Sequence, residues 1–281
     1  MSETIQPNRD QAAQWNEASG PAWVELQAVL DRMLAPFVDV LTDEAFPGPG
    51  GQVLDIGCGA GATTLAMAGR LGPNGRALGV DISGPLVTAA RARAEAEGVG
   101  NAAFVEADAQ TYPFEAEGFD AVISRFGVMF FEDPEAAFAN IRRAARRDAT
   151  LAFVAWRSPA DNPFMTAAWR AAAPFLSALP TPEPNAPGQF GFADGERTAG
   201  ILRAAGWRDV EVRPLDAAAV VAVEDLRRYL QRMGPVGAAL RLADEATRTR
   251  VTDAVEAAYA PFIVDGAARY VAACWKVTAR A

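Results

Sequence analysis

Three aspartates and a glycine-rich turn are the residues of this sequence whose types and spacing could do chemistry. The run VLDIGCGAGATT, residues 53–64, places Asp55 and three glycines between an apolar segment and a helix-forming one. Asp81 and Asp108 each follow a later apolar segment. Glycines at such a turn let the backbone approach a nucleotide closely, and with Ala62 the pattern G-x-G-x-x-G/A is met. The spacing alone does not identify which nucleotide is bound.

The aspartates narrow the choice of ligand. Asp81 ends the second predicted strand, where a carboxylate can accept hydrogen bonds from the ribose of either NAD or S-adenosylmethionine (SAM). Asp55 lies beside the position of a dinucleotide pyrophosphate, where a carboxylate would repel phosphate and attract an ammonium group. Asp108 could accept from an adenine amino group. Each aspartate alone could equally be a helix cap or a turn residue, but their placement at three successive strand ends favours a ligand site.

The elements that must position these residues alternate along the chain. Strands are predicted at 52–56, 76–81, 102–108, 118–126 and 150–156, with helices between them. This order predicts right-handed crossovers and a mostly parallel α/β sheet that is covered on both faces. Ligands of such sheets bind beyond the carboxyl ends of the strands, where the glycine turn and the aspartates lie.

The flanking segments are predicted to cover the sheet. Residues 9–45 read as two or three amphipathic helices, broken at Gly20-Pro21 and at Pro36, that could fold over the turn. The helix before the fifth strand, 134–147, is expected to carry the arginines of NIRRAARR on its exposed side. After Arg157 we predict a segment that leaves the sheet, first helical and then proline-rich (179–191). A helix at 195–206, a strand at 207–215, helices over 222–262 and a strand at 268–280 are predicted to follow.

Composition excludes several classes of function. The 281 residues carry a formal charge of -9, which disfavours a nucleic-acid partner. Only two cysteines and no histidine occur, so neither a zinc or other metal site nor a disulfide framework is predicted. No apolar stretch reaches the roughly 20 residues of a membrane helix, and the N-terminus lacks a signal-peptide pattern, so we expect a cytoplasmic protein. The sequence does not predict the oligomeric state.

Four motifs together resemble the class I SAM-dependent methyltransferases, in particular the small-molecule branch with the ubiquinone/menaquinone type of methyltransferase domain. They are VLDIGCGAG (53–61), GVDIS (79–83), EADAQ (106–110) and FDAVISRFGVMFF (119–131), in the family's order and spacing. The resemblance implies a Rossmann-like, doubly wound, mostly parallel seven-stranded sheet with N-terminal helices and a helical insertion or lid. It also implies three regions: a helical cap (1–49), the SAM-binding core (50–156), and the remaining sheet with substrate-side insertions (157–281).

The same resemblance implies that SAM is the cofactor and S-adenosylhomocysteine the product, and it indicates which residues bind SAM. Asp55 and the Gly57 backbone would meet the methionine ammonium, with Cys58, Gly59 and Gly61 along the ligand. Asp81 would hold the ribose and Ile82 would pack on adenine. Asp108 and the Ala109 backbone would meet the adenine edge, and Ser124 would lie near the methionyl end.

The acceptor is expected beyond the ends of the fourth and fifth strands. The candidate residues there are Arg125, Phe126, Met129, Trp156 and Arg157. Arg125 could bind an anionic or carbonyl group, or pair with an acid; the aromatic side chains at 126, 130 and 131 could belong to the core. Trp15 and Trp23 could close over SAM or pack on the sheet.

The sequence predicts a small-molecule methyltransferase acting on an O, N or C atom. No side chain is assigned as the catalytic base, since an activated methyl group chiefly needs an aligned nucleophile. Two alternatives stay open: an NAD-dependent oxidoreductase or a non-methylating enzyme that uses SAM, and a non-catalytic SAM-binding or interaction protein.

Overall fold

A single sheet forms the centre of the computed structural model, which describes residues 7–17, 19–176, 179 and 183–281. The strand order is β3-β2-β1-β4-β5-β8-β6, with the two-residue strand β7 beside β8. Strands β1 to β5 run parallel, and β8 runs antiparallel to both of its long neighbours. The seven-strand path confirms the expected sheet, to which β7 adds a short eighth strand. The strands are β1 (Gln52–Ile56), β2 (Arg76–Asp81), β3 (Ala102–Glu106), β4 (Phe119–Arg125), β5 (Ala145–Trp156), β6 (Arg208–Ala222), β7 (Ile263–Val264) and β8 (Ala267–Arg280).

Helices cover both faces of the sheet. Phe37 of α3 contacts Trp156 of β5, whereas Phe138 of α6 stacks on Phe153, which points to the opposite face of the same strand. The helices in the described ranges are α1 (Arg9–Glu17), α2 (Ser19–Glu25), α3 (Gln27–Glu44), α4 (Ala62–Leu71), α5 (Gly84–Glu97), α6 (Pro134–Ala144), α7 (Pro163–Ala172), α8 (Gly195–Ala204), α9 (Val223–Arg232), α10 (Gly234–Leu242) and α11 (Glu245–Tyr259).

Helix boundaries next to the site follow local chemistry. The Ser83 side chain accepts a hydrogen bond from the Leu86 N–H at the start of α5, and Gly98, in the left-handed conformation, ends that helix. Asp133 caps α6 in the same way, with Pro134 in the first turn. These caps and stops were predicted from the sequence and are confirmed.

Three expected boundaries were wrong. The break predicted at Gly20-Pro21 does not occur there, since both residues lie within α2, where Pro21 is tolerated in the first turn of the helix. Helix α3 runs through Pro36 without a break, because Leu30, Leu34 and Phe37 bury one face of the helix against the core and offset the cost of one proline. Helix α6 ends at Ala144 rather than at residue 147. The strand β5 then begins at Ala145, which pairs with Phe119 of β4.

The arginines of NIRRAARR are therefore divided between two elements. Arg142 and Arg143 lie in the last turn of α6, whereas Arg146 and Arg147 lie in β5. Arg146 pairs with Asp120 of the neighbouring strand. The four side chains do not form one exposed helix face.

The strands β6 and β8 extend beyond the end of β5. The pairing of β5 with β8 stops at Trp156 and Cys274, whereas β6 and β8 continue to Ala222 and Ala267. Helices α9, α10 and α11 connect the two strands. The Asn162 side chain, at the start of α7, exchanges two hydrogen bonds with the backbone of Ala273. In the described residues, no helix is both long and apolar enough to cross a membrane.

Candidate active site

The turns after β1 and β4 touch through their backbones. A Cβ atom added to Gly57 would lie 2.5 Å from the Gly127 Cα, and one added to Gly127 would lie 2.6 Å from the Gly57 Cα. Ser124 supports this contact, since its hydroxyl donates to the Ile56 carbonyl at 2.7 Å and accepts from the Gly127 N–H at 3.2 Å. Glycine at both positions brings the ends of the two strands together.

The residues of the glycine turn face different surroundings. The N–H groups of Gly57 and Cys58 both donate to the Val80 carbonyl. The backbone group of Gly57 that could still bind a ligand is therefore its carbonyl oxygen, which can accept a hydrogen bond. The Cys58 side chain packs in an apolar cluster with Phe104. A Cβ atom added to Gly61 would lie 3.0 Å from the Phe104 ring, whereas one added to Gly59 would have no atom within 4 Å. Gly59 thus borders open space.

Asp81 is fixed by two backbone donors. One carboxylate oxygen accepts from the Gly59 N–H at 2.8 Å, and the other accepts from the Ser83 N–H at 2.9 Å. Burial raises the pKa of Asp81, and these hydrogen bonds oppose the rise. Each carboxylate oxygen can still accept a second hydrogen bond, which suits the two hydroxyls of a ribose.

Asp55 is buried with one unsatisfied oxygen. Its Oδ2 accepts from the Thr64 hydroxyl at 2.6 Å, whereas Oδ1 has no hydrogen-bond partner among the residues that the structure describes. Burial raises the pKa of Asp55 to about 7, against the hydrogen bond from Thr64 and the positive charge of Arg125. An unpaired buried carboxylate oxygen is costly, and a cationic donor such as an ammonium group would satisfy it.

Arg125 lies on the same sheet face as Asp55. Asp55 pairs in register with Ile123, two residues before Arg125, and side chains two apart in a strand share a face. The Arg125 side chain is 9% exposed and its Nη2 lies 3.7 Å from the Asp31 carboxylate, while Nη1 has no hydrogen-bond partner within the described part of the chain. A cavity of about 260 Å³ adjoins it, lined by Asp31, Ala35, Val38, Asp39, Ala62, Arg93 and Arg125.

The N-terminal helices contact the predicted adenosine side. The Asn8 side chain donates to both oxygens of Asp108 and to Gln110, each at 3.0 Å, and accepts from the Glu132 N–H at 2.7 Å. Asn16 donates to the Ile82 carbonyl at 3.1 Å and accepts from the Gly84 N–H at 2.9 Å. Neither asparagine was identified from the sequence.

Asp108 and its neighbours therefore have protein partners of their own. The Gln110 N–H also donates to Asp108, and the Ala109 carbonyl accepts from Asn140. The Trp15 ring makes two edge-to-face contacts, one with the Phe130 ring at 5.2 Å between centroids and one with the Trp23 ring at 5.9 Å. The two tryptophans thus lie on the segment that approaches the ends of β2, β3 and β4.

The predicted acceptor residues are divided between the core and the surface. Phe126 stacks on Trp156 at 4.7 Å, and both contact Phe37 of α3. Met129 is buried as well. Arg157 pairs with Asp216 at 3.1 Å and Asp161 at 3.5 Å, and it lies over the Trp275 ring. The assignment of these residues to an acceptor stays a prediction.

Sequence comparison places this geometry in a known family. A family model described as a methyltransferase domain matches residues 53–148. A demethylmenaquinone methyltransferase from Roseiflexus sp. is 30% identical over 238 residues, which cover 78% of this chain and 97% of that protein. The chain belongs to the class I SAM-dependent methyltransferase family. The methyltransferase domain begins in β1, contains the glycine turn and ends in β5.

Other curated relatives match over a shorter length. The nocamycin O-methyltransferase of Saccharothrix syringae is 35% identical over 116 residues, which is 41% of each chain. A 2-phytyl-1,4-naphtoquinone methyltransferase of Trichormus variabilis is 31% identical over 159 residues, or 50% of this chain and 69% of that protein. The match thus spans less than half the length of the first of these relatives.

Solved structures share the fold. A SAM-dependent methyltransferase from Aquifex aeolicus superposes with a TM-score of 0.55 at 16% identity, covering 92% of this chain and 97% of that one. The cyclase SpnF superposes with a TM-score of 0.57 at 17% identity, covering 93% and 94%. Since both a methyltransferase and a cyclase adopt this architecture, the fold alone does not define the reaction.

Proposed function

We propose that this protein transfers a methyl group from SAM to an O, N or C atom of a small-molecule acceptor. The observation that carries the proposal is the pair of carboxylates at the ends of β1 and β2: Asp55 is buried with an unpaired oxygen among the described residues, and Asp81 is half-buried and held by two backbone donors. The first suits an ammonium group and the second a ribose. Membership of the methyltransferase family and the names of three curated relatives support the same activity.

In this proposal, different residues bind different parts of SAM. Asp55 and the Gly57 carbonyl bind the ammonium group, and Gly59 borders the ligand with its backbone. Asp81 binds the ribose and Ile82 covers the adenine. The Cys58 side chain and Gly61 support the turn from behind, because both face the apolar cluster around Phe104. Ser124 fixes the turn after β4 against the turn after β1.

Asp108 has a further role in this arrangement. It binds the adenine edge together with the Ala109 backbone and at the same time accepts hydrogen bonds from Asn8. A carboxylate has about four acceptor sites, so both sets of donors can be accommodated. The N-terminal segment and the nucleoside thus share one carboxylate.

The chemistry requires alignment more than a dedicated base. SAM supplies a methyl group on a positively charged sulfur, which is a good leaving group. The protein has to hold the nucleophilic atom of the acceptor in line with the bond between sulfur and the methyl group, and to exclude water. We assign residues 1–49 to covering SAM, residues 50–156 to binding it, and residues 157–281 to building the acceptor side. The candidate residues for contact with the acceptor follow β4 and β5 or end these strands, and they remain Arg125, Phe126, Met129, Trp156 and Arg157.

A binding and turnover experiment tests the proposal. The purified protein, freed of copurified ligand, is titrated calorimetrically with SAM, S-adenosylhomocysteine and NAD, and then incubated with SAM and a panel of phenols, quinols and amines. We expect both adenosyl ligands to bind, NAD not to bind, and S-adenosylhomocysteine to form with an acceptor. Binding of NAD alone would refute the proposal, and SAM binding without turnover on any acceptor would favour a non-catalytic or non-methylating protein.

A further inference from the structure

The proposed cofactor is an α-amino acid at one end, and only its ammonium group has been assigned so far. Its carboxylate needs a cationic donor within reach of Asp55. Arg125 meets this condition, because its charge and that of Asp55 interact across the same face of the sheet. Each side chain also has one buried polar atom without a partner, Oδ1 of Asp55 and Nη1 of Arg125.

The other contacts of Arg125 leave it incompletely paired. Its ion pair with Asp31 is long, at 3.7 Å. The second oxygen of Asp31 accepts from Gln27 at 2.6 Å and from Arg93 at 2.7 Å, so that aspartate is already shared among other donors. A buried guanidinium group with an unpaired nitrogen carries a cost that a carboxylate would remove.

The adjoining cavity offers a second feature that favours an anion. Ala62 lines it at the first position of α4, whose N-cap residue, Gly61, has no side chain to cap the helix. The first N–H groups of a helix lack partners within the helix and carry a partial positive charge. The cavity of about 260 Å³ is therefore bordered both by the buried Arg125 and by the N-terminus of α4, where backbone N–H groups can donate to an anion.

We propose that Arg125 binds the carboxylate of the methionyl group, so that Asp55 and Arg125 together recognise the zwitterion of SAM. This assignment rests on the proposed function and moves Arg125 from the acceptor side to the cofactor side. It makes Arg125 a determinant of cofactor specificity: nucleosides that carry the ammonium group without the carboxylate are discriminated against.

Ligand analogues test the assignment by calorimetry, without measuring turnover. The ligands are SAM, decarboxylated SAM, which keeps the ammonium group, and 5′-methylthioadenosine, which lacks both charged groups. The wild-type protein should bind SAM about 10- to 100-fold more tightly than decarboxylated SAM, the ratio expected for one charged hydrogen bond. Arg125→Gln should abolish that ratio while leaving the affinity for decarboxylated SAM and for 5′-methylthioadenosine unchanged.

Arg70→Gln is the matched control, since it removes the positive charge of an arginine that is paired with Asp43 and is not among the residues that line the cavity. It should keep the wild-type ratio, and Arg125→Lys should restore part of it. A wild-type ratio near one, or an Arg70→Gln variant that loses the ratio as Arg125→Gln does, would overturn the assignment while SAM binding stands. Failure of the wild type to bind any of these ligands would instead overturn the proposed function itself. If Arg125→Gln does not fold, the wild-type ratio and Arg125→Lys decide.

Discussion

Asp55 links the site to the stability of the ligand-free protein. Its pKa is about 7 in the folded chain, above the ordinary value of 3.8, because the carboxylate is buried. The folded state therefore holds a proton that the unfolded state releases between these two pH values. The free energy of unfolding falls as pH rises through this range, by up to about 1.4 kcal/mol per pH unit, and levels off above pH 7.

The first prediction is that Asp55→Asn flattens this dependence. Without the titrating carboxylate, the free energy of unfolding from urea titrations should decline less steeply between pH 5 and pH 7, and the variant should be more stable than wild type at pH 8. It should also bind SAM more weakly, because the ammonium group loses its counter-charge. Asp43→Asn is the control, since that side chain is 72% exposed. An unchanged slope in Asp55→Asn would show that Asp55 is ionised in the folded protein.

Asp81 gives a second prediction at the same scale. Asp81→Ala should weaken binding of S-adenosylhomocysteine by about 1.5–3 kcal/mol, as expected for the loss of charged hydrogen bonds to a ribose. Calorimetry measures the loss, and circular dichroism checks that the variant is folded, since Asp81 also holds the Gly59 and Ser83 backbones. A folded variant with wild-type affinity would remove Asp81 from the site.

At the scale of elements, we propose that Asn8 and helix α1 form a cover over the ligand, held in place by Asn8 and Asn16. Asn8 is buried and connects the loops after β3 and β4, whereas Asn16 connects α1 to the start of α5. Opening the cover requires breaking these hydrogen bonds. We therefore expect them to slow the release of ligand rather than its binding.

The third prediction concerns Asn8→Ala. This change removes four side-chain hydrogen bonds and should raise the dissociation rate of S-adenosylhomocysteine about tenfold, with a smaller effect on association. Stopped-flow tryptophan fluorescence can measure both rates, because Trp15 lies on the cover and Trp23 contacts its ring. Asn74→Ala, at an exposed loop position, should leave both rates unchanged. Equal dissociation rates in Asn8→Ala and wild type would mean that the cover does not hold the ligand.

The elements also show why some features could be predicted from the sequence and others could not. The strands β1 to β4 and their aspartates were identified because short apolar runs end in glycine or acid. The start of β5 was missed because its first residues include Arg146, Arg147 and Asp148, which are exposed and show no strand alternation. Asn8 was missed because its partners lie 100 or more residues away, where no local pattern could indicate them.

At the scale of the whole molecule, the candidate site joins parts that are distant in sequence. The N-terminal segment, the turns after β1 and β2, and the end of β4 all contribute to it. A ligand bound there contacts the cover and the centre of the sheet together. Its binding free energy should therefore add to the stability of the whole chain rather than of one segment.

The fourth prediction follows from this linkage. S-adenosylhomocysteine at 100 times its dissociation constant should raise the free energy of unfolding by about 2.7 kcal/mol, and NAD at the same concentration should leave it unchanged. Chemical denaturation with and without each ligand makes the comparison, and Asp81→Ala should need more S-adenosylhomocysteine for the same effect. Stabilisation by NAD would contradict the assignment of Asp55 to an ammonium group.

The position of β8 has a consequence for how the protein is made. Of the eight strands in the described ranges, this one comes last in sequence, yet it lies between β5 and β6. While the ribosome is still synthesising residues 267–280, β5 has an open edge and β6 has no neighbour in the sheet. Exposed strand edges pair readily with other chains, so the nascent protein is most vulnerable to aggregation just before synthesis of β8 is complete.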